Sequence, residues 1–166
     1  MIFRRAFDSE AALVLQIYEK ARTAGSNSGT CDWSSDYPNS QILKTDISLQ
    51  RVFVLAEDDA IVACVTLLET DDLDSQPLGW RNVKSCVPVR LCVSPEWQNQ
   101  GIAKIVMNHL IHHSRNLGYQ SLRLLAHVGN PAANKLYRSL GFENKGMVFL
   151  YEKEFYAYEY LIPNEF

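Results

Sequence analysis

Basic residues never gather in this chain. No cluster of five or more Lys and Arg occurs, and 16 basic against 19 acidic residues leave a formal net charge of -3. Binding to nucleic acid or to an anionic membrane therefore has no electrostatic support. Long apolar runs are missing as well, and none approaches the ~20 residues needed to span a bilayer. The opening MIFRRAFDSEAALVLQ carries charges where a signal peptide needs an uninterrupted apolar core, so a cytoplasmic location is expected. Only four cysteines occur (Cys31, Cys64, Cys86, Cys92), with no C-x-x-C spacing. Three of them sit in apolar or strand-like runs, which suits small buried thiols rather than disulfides or zinc. Internal repeats and low-complexity segments are absent too.

What is present is ordinary globular composition, 47% hydrophobic and 21% charged over 166 residues. That length suits a single domain, 1–166, with enough chain to bury most of its apolar surface. Ile2 to Ala6 reads as a strand, and Asp8-Ser9 precede an amphipathic run to about Ala24. A loop rich in Gly, Ser, Asp and Asn covers Gly25 to Asn39, and Ser40 to Leu49 reads as a short helix. Arg51 to Glu57 and Ile61 to Glu69 flank Asp58-Asp59-Ala60 as a hairpin. Thr70 to Lys84 is a polar loop around Trp80. A strand over Val87 to Val93 follows, then a helix from Gly101 to Leu117 ended by Gly118. Strands over Ser121 to Val128, Lys145 to Leu150 and Phe155 to Ile162 complete an α/β pattern, with a helix after the first of them.

The segment Arg90 to Ala103, RLCVSPEWQNQGIA, carries the most chemistry. An apolar strand and a Pro-containing turn lead into a Gly-bearing loop that opens a helix, with Gln98, Gly101 and Ala103 spaced Q-x-x-G-x-A. A helix start leaves N–H groups unpaired and partly positive, which makes it a site for an anion such as phosphate. Gly101 lets the backbone approach that anion without a Cβ in the way. Some 30 residues later, Asn130 is placed as an N-cap, Pro131 as the first helical residue and Gly141 as the terminator. Ala133, Leu136, Tyr137 and Leu140 fall on one face of the intervening short helix. That face carries a phenol.

These two blocks resemble motifs A and B of the GNAT superfamily of acyl-CoA N-acyltransferases. Leu91-Cys92-Val93, Gln98, Gly101 and Ala103 match the first motif. Asn130, Ala133, Leu136-Tyr137 and Leu140-Gly141-Phe142 match the second. Trp33-Ser34-Ser35-Asp36-Tyr37-Pro38, Asp46-Ile47 and Trp80 are similar to a bacterial-type subgroup of that family. The resemblance implies a GNAT fold: a mixed, mostly antiparallel central sheet splayed at the strands ending near Val93 and Val128, flanked by about four helices. It also implies acetyl-CoA as cosubstrate and an amine as acceptor. On that reading the backbone of Leu91, Cys92 and Val93 pairs with pantetheine, and Gln98, Asn99, Gln100, Gly101, Ile102 and Ala103 hold the pyrophosphate. Asn130 positions pantetheine or the amine, the Cys92 or Val93 N–H stabilises the oxyanion, and Tyr137 is the general acid to the CoA thiolate. Gln98 stands where many relatives carry Arg, which removes one cationic contact.

Other assignments are thinner. Many relatives place a Glu on the strand before motif A or on the preceding hairpin; this strand reads Val87-Pro88-Val89-Arg90, without a carboxylate. Glu69 is the candidate base; Asp71, His127 and a water chain are its alternatives. Cys92 has no His or Lys nearby in sequence to activate it as a nucleophile, so direct transfer is expected. His109 and His113 lie at i and i+4 with His112 between them, but no Glu or Cys accompanies them, and no metal is assigned. Trp33, Tyr37, Trp80 and Tyr156 are the candidates for acceptor binding, and Asp32 and Asp36 are placed to attract a cationic amine. The expected function is acetyl transfer from acetyl-CoA to a small primary amine. A protein N-terminal or lysine acetyltransferase and a non-catalytic acyl-CoA-binding module are the alternatives. The expected state is a monomer or homodimer.

Overall fold

The computed structural model describes residues 1–28 and 33–164, with side chains left aside over 25–28; Cys31 and Asp32 lie outside the described residues. Among the described residues, seven strands and four helices form the α/β fold that the sequence implies, with strand order β1-β2-β3-β4-β5-β7-β6. The chain divides into two compact units, Met1–Leu67 with Arg90–Val106, and Leu68–Val89 with Met107–Phe166.

In the first unit, β1 (Ile2–Arg5), β2 (Val52–Glu57) and β3 (Ala60–Leu68) form an antiparallel meander. Val52 to Ala56 are buried on both faces, which is why that strand reads as a continuous apolar run rather than an alternating one. Asp58-Asp59 turn the hairpin, with Asp58 at φ 51, a conformation Asp tolerates better than most residues. Two helices cover this part of the sheet, α1 (Ala11–Ser28) and α2 (Ser40–Ser48). Val14, Ile17 and Tyr18 of α1 and Leu43 and Ile47 of α2 pack with Val52, Val54, Cys64 and Cys92. Each of the larger aliphatic members contributes roughly 1.5–3 kcal/mol by leaving water. The first helix outruns its expected end near Ala24, because a glycine such as Gly25 costs a helix only about 1 kcal/mol and does not by itself stop it. Asn39 caps α2, its Oδ1 accepting from the Ile42 N–H at 2.9 Å.

In the second unit, β5 (Ser121–His127) runs antiparallel to β7 (Lys153–Leu161), which pairs in turn with β6 (Glu143–Leu150). The start of β4 (Ser85–Val93) is parallel to β5, pairing Ser85 with Ser121 and Cys86 with Leu122. The helix α3 (Ile102–Asn116) ends before Gly118, at φ 85, and α4 (Pro131–Ser139) before Gly141, at φ 92. Both glycines occupy the left-handed position that a helix terminator requires. The expected polar loop from Thr70 to Lys84 is more ordered than its composition suggests. It contains a 3-10 turn at Asp72–Ser75 and is pinned by a buried ion network. Arg123 donates to Glu159 from Nε (3.1 Å), to Asp74 from Nη1 (2.8 Å) and to the Arg81 carbonyl from Nη2 (2.6 Å).

Candidate active site

Motif A lies within the first unit. The end of β4 passes through Arg90, a non-glycine residue at φ 53, directly before Leu91. Cys92 is buried, its Sγ donating to the Ile17 carbonyl at 3.6 Å, and Leu91 and Val93 are half-buried. Cys64 lies against Cys92; that thiol contact and complete burial push the Cys64 thiol well above its ordinary range. With Tyr18 also beside this thiol pair, Cys92 belongs to a packed core rather than to a nucleophile's polar setting.

The loop after β4 follows from its two left-handed residues, Asn99 at φ 61 and Gly101 at φ 75. Gln98 Nε2 donates to the Val93 carbonyl at 3.2 Å, tying the loop back onto the end of the strand. Gln100 Nε2 does the same to the Glu96 carbonyl at 3.2 Å. Residues 98–101 are exposed, while Ile102 is buried and anchors the helix start. A Cβ at Gly101 would meet nothing within 4 Å, so glycine serves here for its positive φ and leaves open space beside the backbone. The first turn of α3 contains no acidic residue. Its unpaired N–H groups and positive dipole end therefore meet no competing carboxylate from that turn.

Motif B lies within the second unit. Asn130 is the N-cap of α4, as its spacing predicts, with Oδ1 accepting from the Ala133 N–H at 3.1 Å and Pro131 in the first turn. Asn134, only 2% exposed, fastens that helix to the end of β5. Its Nδ2 donates to the carbonyls of His127 (3.0 Å) and Asn130 (2.8 Å), and its Oδ1 accepts from Tyr158 Oη at 2.7 Å. Sequence reasoning passed over this residue; its signal was a buried-face position on an otherwise amphipathic helix. Tyr137 is buried against Phe142 and Tyr158, with ring centroids 5.5 and 5.8 Å away. Burial, and secondarily the Tyr158 phenol, raise its pKa above the usual phenol range. The hydroxyl thus stays protonated through neutral pH and is available as a hydrogen-bond donor.

The candidate bases fall outside motif A. Glu69 is exposed just past β3, where its charge acts, after burial, to raise the Tyr119 phenol. Asp71 precedes the 3-10 turn, and its N–H donates to Asp74 Oδ2 at 3.0 Å. His127 Nδ1 accepts from the Gly129 N–H at 3.1 Å, so this ring nitrogen is already engaged. On α3, His109 and His112 are exposed, with the His112 ring 3.3 Å from Asn116 Nδ2.

The four aromatics proposed for the acceptor divide into two pairs. Trp33 stands edge-on to Tyr18 at 5.6 Å, and Tyr37, 40% exposed, accepts at Oη from Arg90 Nη1 at 3.0 Å. Arg22 Nη2 holds the next carbonyl, Pro38 O, at 2.9 Å. In the second unit Trp80 donates to the Leu73 carbonyl at 3.1 Å, takes Arg123 on its ring face and packs near Val148, Phe155 and Ala157. Tyr156 is half-buried on β7, opposite Ala126 and Met147. Sequence reasoning also missed the partner of Arg90: Nη2 of this arginine binds Asp46 Oδ2, and both side chains are nearly buried. Burial works against the Arg90 charge, but Tyr37, Asp46 and Tyr18 more than offset it, so the guanidinium is held above its ordinary value.

Known proteins bear on these features. The model of the acetyltransferase (GNAT) domain matches residues 48–144. A segment of 52 residues is 38% identical to the [ribosomal protein bS18]-alanine N-acetyltransferase of Escherichia coli K12, covering 31% of this chain and 35% of that protein. The chain spans about a third or less of the length of the curated relatives it matches. A GNAT-family acetyltransferase from Streptococcus agalactiae shares the fold at 22% identity, with a TM-score of 0.86 over 99% of this chain and 96% of that one. So does yncA from Salmonella typhimurium, solved with its cofactor acetyl-CoA, at 16% identity and a TM-score of 0.74 over 99% and 95% of the two chains. Among the described residues no helix is long and apolar enough to cross a membrane. With a family model covering more than half of its residues, and motif A shaped as an exposed loop opening a helix, the chain belongs to the GNAT family of acetyltransferases.

Proposed function

We propose that this chain moves the acetyl group of acetyl-CoA to the primary amine of a small molecule by direct attack. The observation that carries the donor half is the left-handed Asn99–Gly101 loop opening α3, with no carboxylate in the first turn. That arrangement suits the pyrophosphate of CoA, with residues 98–103 supplying N–H groups. Leu91, Cys92 and Val93 supply strand-edge groups for pantetheine, and Asn130 positions the reactants.

The neutral amine attacks the thioester carbonyl, forming a C–N bond, and the Cys92 or Val93 N–H receives the developing oxyanion. The C–S bond then breaks, and Tyr137, held protonated by its burial, hydrogen-bonds to and protonates the departing thiolate, its phenolate being reprotonated by the extra proton that the acetylated nitrogen sheds. The ammonium, with a pKa of about 10, must first lose a proton; a water chain carries it away, with Glu69, beside Tyr119 and past the end of β3, as its terminal acceptor. Burial of the Cys92 thiol and its bond to a backbone carbonyl disfavour an acetyl-cysteine intermediate and favour direct transfer.

A protein N-terminus is the second reading for the acceptor, supported by the 38% identity to the ribosomal-protein alanine acetyltransferase. The test is thiol release from acetyl-CoA across a panel of small amines and of peptides with free N-termini or lysines. Wild type is compared with Tyr137→Phe and Glu69→Gln. Turnover on small amines, lowered about 10²-fold or more in Tyr137→Phe, supports the first reading. Preference for peptides shifts it to the second. Binding of acetyl-CoA with no turnover on any acceptor would make the chain a binding module, and no binding would overturn the donor assignment.

A further inference from the structure

The proposed donor site leaves one matter open: what fixes the backbone of Leu91, Cys92 and Val93, on which both pantetheine pairing and the oxyanion contact depend. Arg90 immediately precedes it. At φ 53 this residue sits in the left-handed region within a strand, a conformation that costs a residue with a Cβ about 1–2 kcal/mol. The side chain adds a second cost. It is 10% exposed and forms an ion pair with Asp46, itself 8% exposed. Such a buried pair seldom stabilises a fold more than apolar side chains of similar volume would.

Both costs are tied to one set of contacts. Nη2 binds Asp46 Oδ2, on α2, and Nη1 donates to Tyr37 Oη at 3.0 Å. Arg51 stands 3.9 Å from the other Asp46 oxygen. Nε of Arg90 is buried without a hydrogen-bond partner. A side chain selected for stability alone would not leave a buried guanidinium N–H unmatched. Strained backbone with an expensive buried anchor, one residue before the proposed reacting site, is the pattern of a built-in positioning device.

We infer that Arg90 is a positioning residue for acetyl transfer: gripped by Asp46 and Tyr37, it holds the left-handed kink of β4 and thereby fixes the N–H groups of Leu91–Val93 against the thioester. The inference rests on the donor reading above. It adds to that reading that α2 and the Tyr37 loop, through this arginine, set the rate of the chemical step.

The test uses the acceptor that performs best on wild type and measures kcat, the KM for acetyl-CoA and the thermal transition separately. Arg90→Gly adopts positive φ without strain but has no anchor; Asp46→Asn keeps the shape but removes the charge. Both are expected to lower kcat by on the order of 10- to 100-fold, the scale of an ångström-sized misplacement, with the KM for acetyl-CoA moving less than about threefold. Arg90→Lys, which keeps a tethered cation facing Asp46, should hold kcat about tenfold above that of Arg90→Gly. If Asp46→Asn does not fold, Tyr37→Phe replaces it, with a kcat loss of about two- to fivefold expected from the weaker grip. A cooperatively melting Arg90→Gly with kcat within threefold of wild type overturns the inference. So does an Arg90→Lys kcat no higher than that of Arg90→Gly. Failure of wild type to bind acetyl-CoA overturns the donor reading instead, and this inference falls with it.

Discussion

Arg90 and Arg123 are equally buried, each with a side chain 10% exposed, yet they are used in opposite ways. Arg123 sits on a regular ladder, directly across from Glu159, and donates from Nε, Nη1 and Nη2. Its main partner is satisfied in turn: Glu159 also accepts from Ser121 Oγ and the Arg81 N–H. The Arg90 network is open. One of its nitrogens has no partner, and its backbone is left-handed. A closed network on relaxed backbone is a staple for a loop that composition alone would leave loose. An open one on strained backbone sacrifices stability, and such sacrifices collect where a protein acts.

The comparison can be broken most decisively at Arg123. Arg123→Met leaves Glu159, 3% exposed, with only Lys145 Nζ, 4.0 Å away, as a cation and takes the partner from Asp74, and is expected to cost about 3–5 kcal/mol in urea unfolding. A cost below about 1 kcal/mol would show that the closed network is not a staple. Asp46→Asn should cost less, about 2–3 kcal/mol, because the amide oxygen still accepts from Arg90; a larger loss than in Arg123→Met would reverse the contrast.

A third measurement concerns closure in the second unit. Cys86, bonded to Ser114 Oγ and the Ser121 carbonyl, has its thiol pushed up by burial from 9.0 to about 11. A raised folded-state value favours the protonated form, so this stability is complete below the unfolded thiol's pKa. It is lost as pH rises from about 9 through about 11, by on the order of 1–2 kcal/mol. Cys86→Ala should flatten that alkaline decline, and an unchanged profile would remove the thiol from the account. The smallest change expected is from Tyr37→Phe, about 0.5–1 kcal/mol, since the lost bond lies at a 40% exposed side chain. A greater loss would mean that the Arg90 cluster is closed more tightly than its unmatched Nε implies.

How much of this was legible in the sequence depended on distance along the chain. Asn130 capping α4, Gly141 ending it and Gly101 opening the loop before α3 are local events, each settled within a turn or two of helix. Their spacing therefore announced them. The hairpin at Asp58-Asp59 was legible for the same reason. Arg90 and Asp46 are 44 residues apart, and Arg123 and Glu159 are 36 apart, so no periodicity connects them. Trp80 read as a candidate acceptor contact because an aromatic in a polar loop stands out. The structure gives it a carbonyl, a cation and a core to pack on, partners that lie up to 77 residues away.

The first compact unit is discontinuous: Met1–Leu67 is completed by Arg90–Val106. Its core includes Cys92 alongside Val14, Leu43 and Val52, and its buried carboxylate Asp46 is matched by Arg90. On a ribosome adding about 5–20 residues per second, the cation follows its partner by roughly 2–9 seconds. Through that interval Asp46 has only the exposed Arg51, 3.9 Å away, as a cation, so seating α2 over the carboxylate costs more than it does once Arg90 is in place. The ion pair that holds the kink in β4 thus also makes burial of α2 most favourable only once the strand that bears motif A has been made.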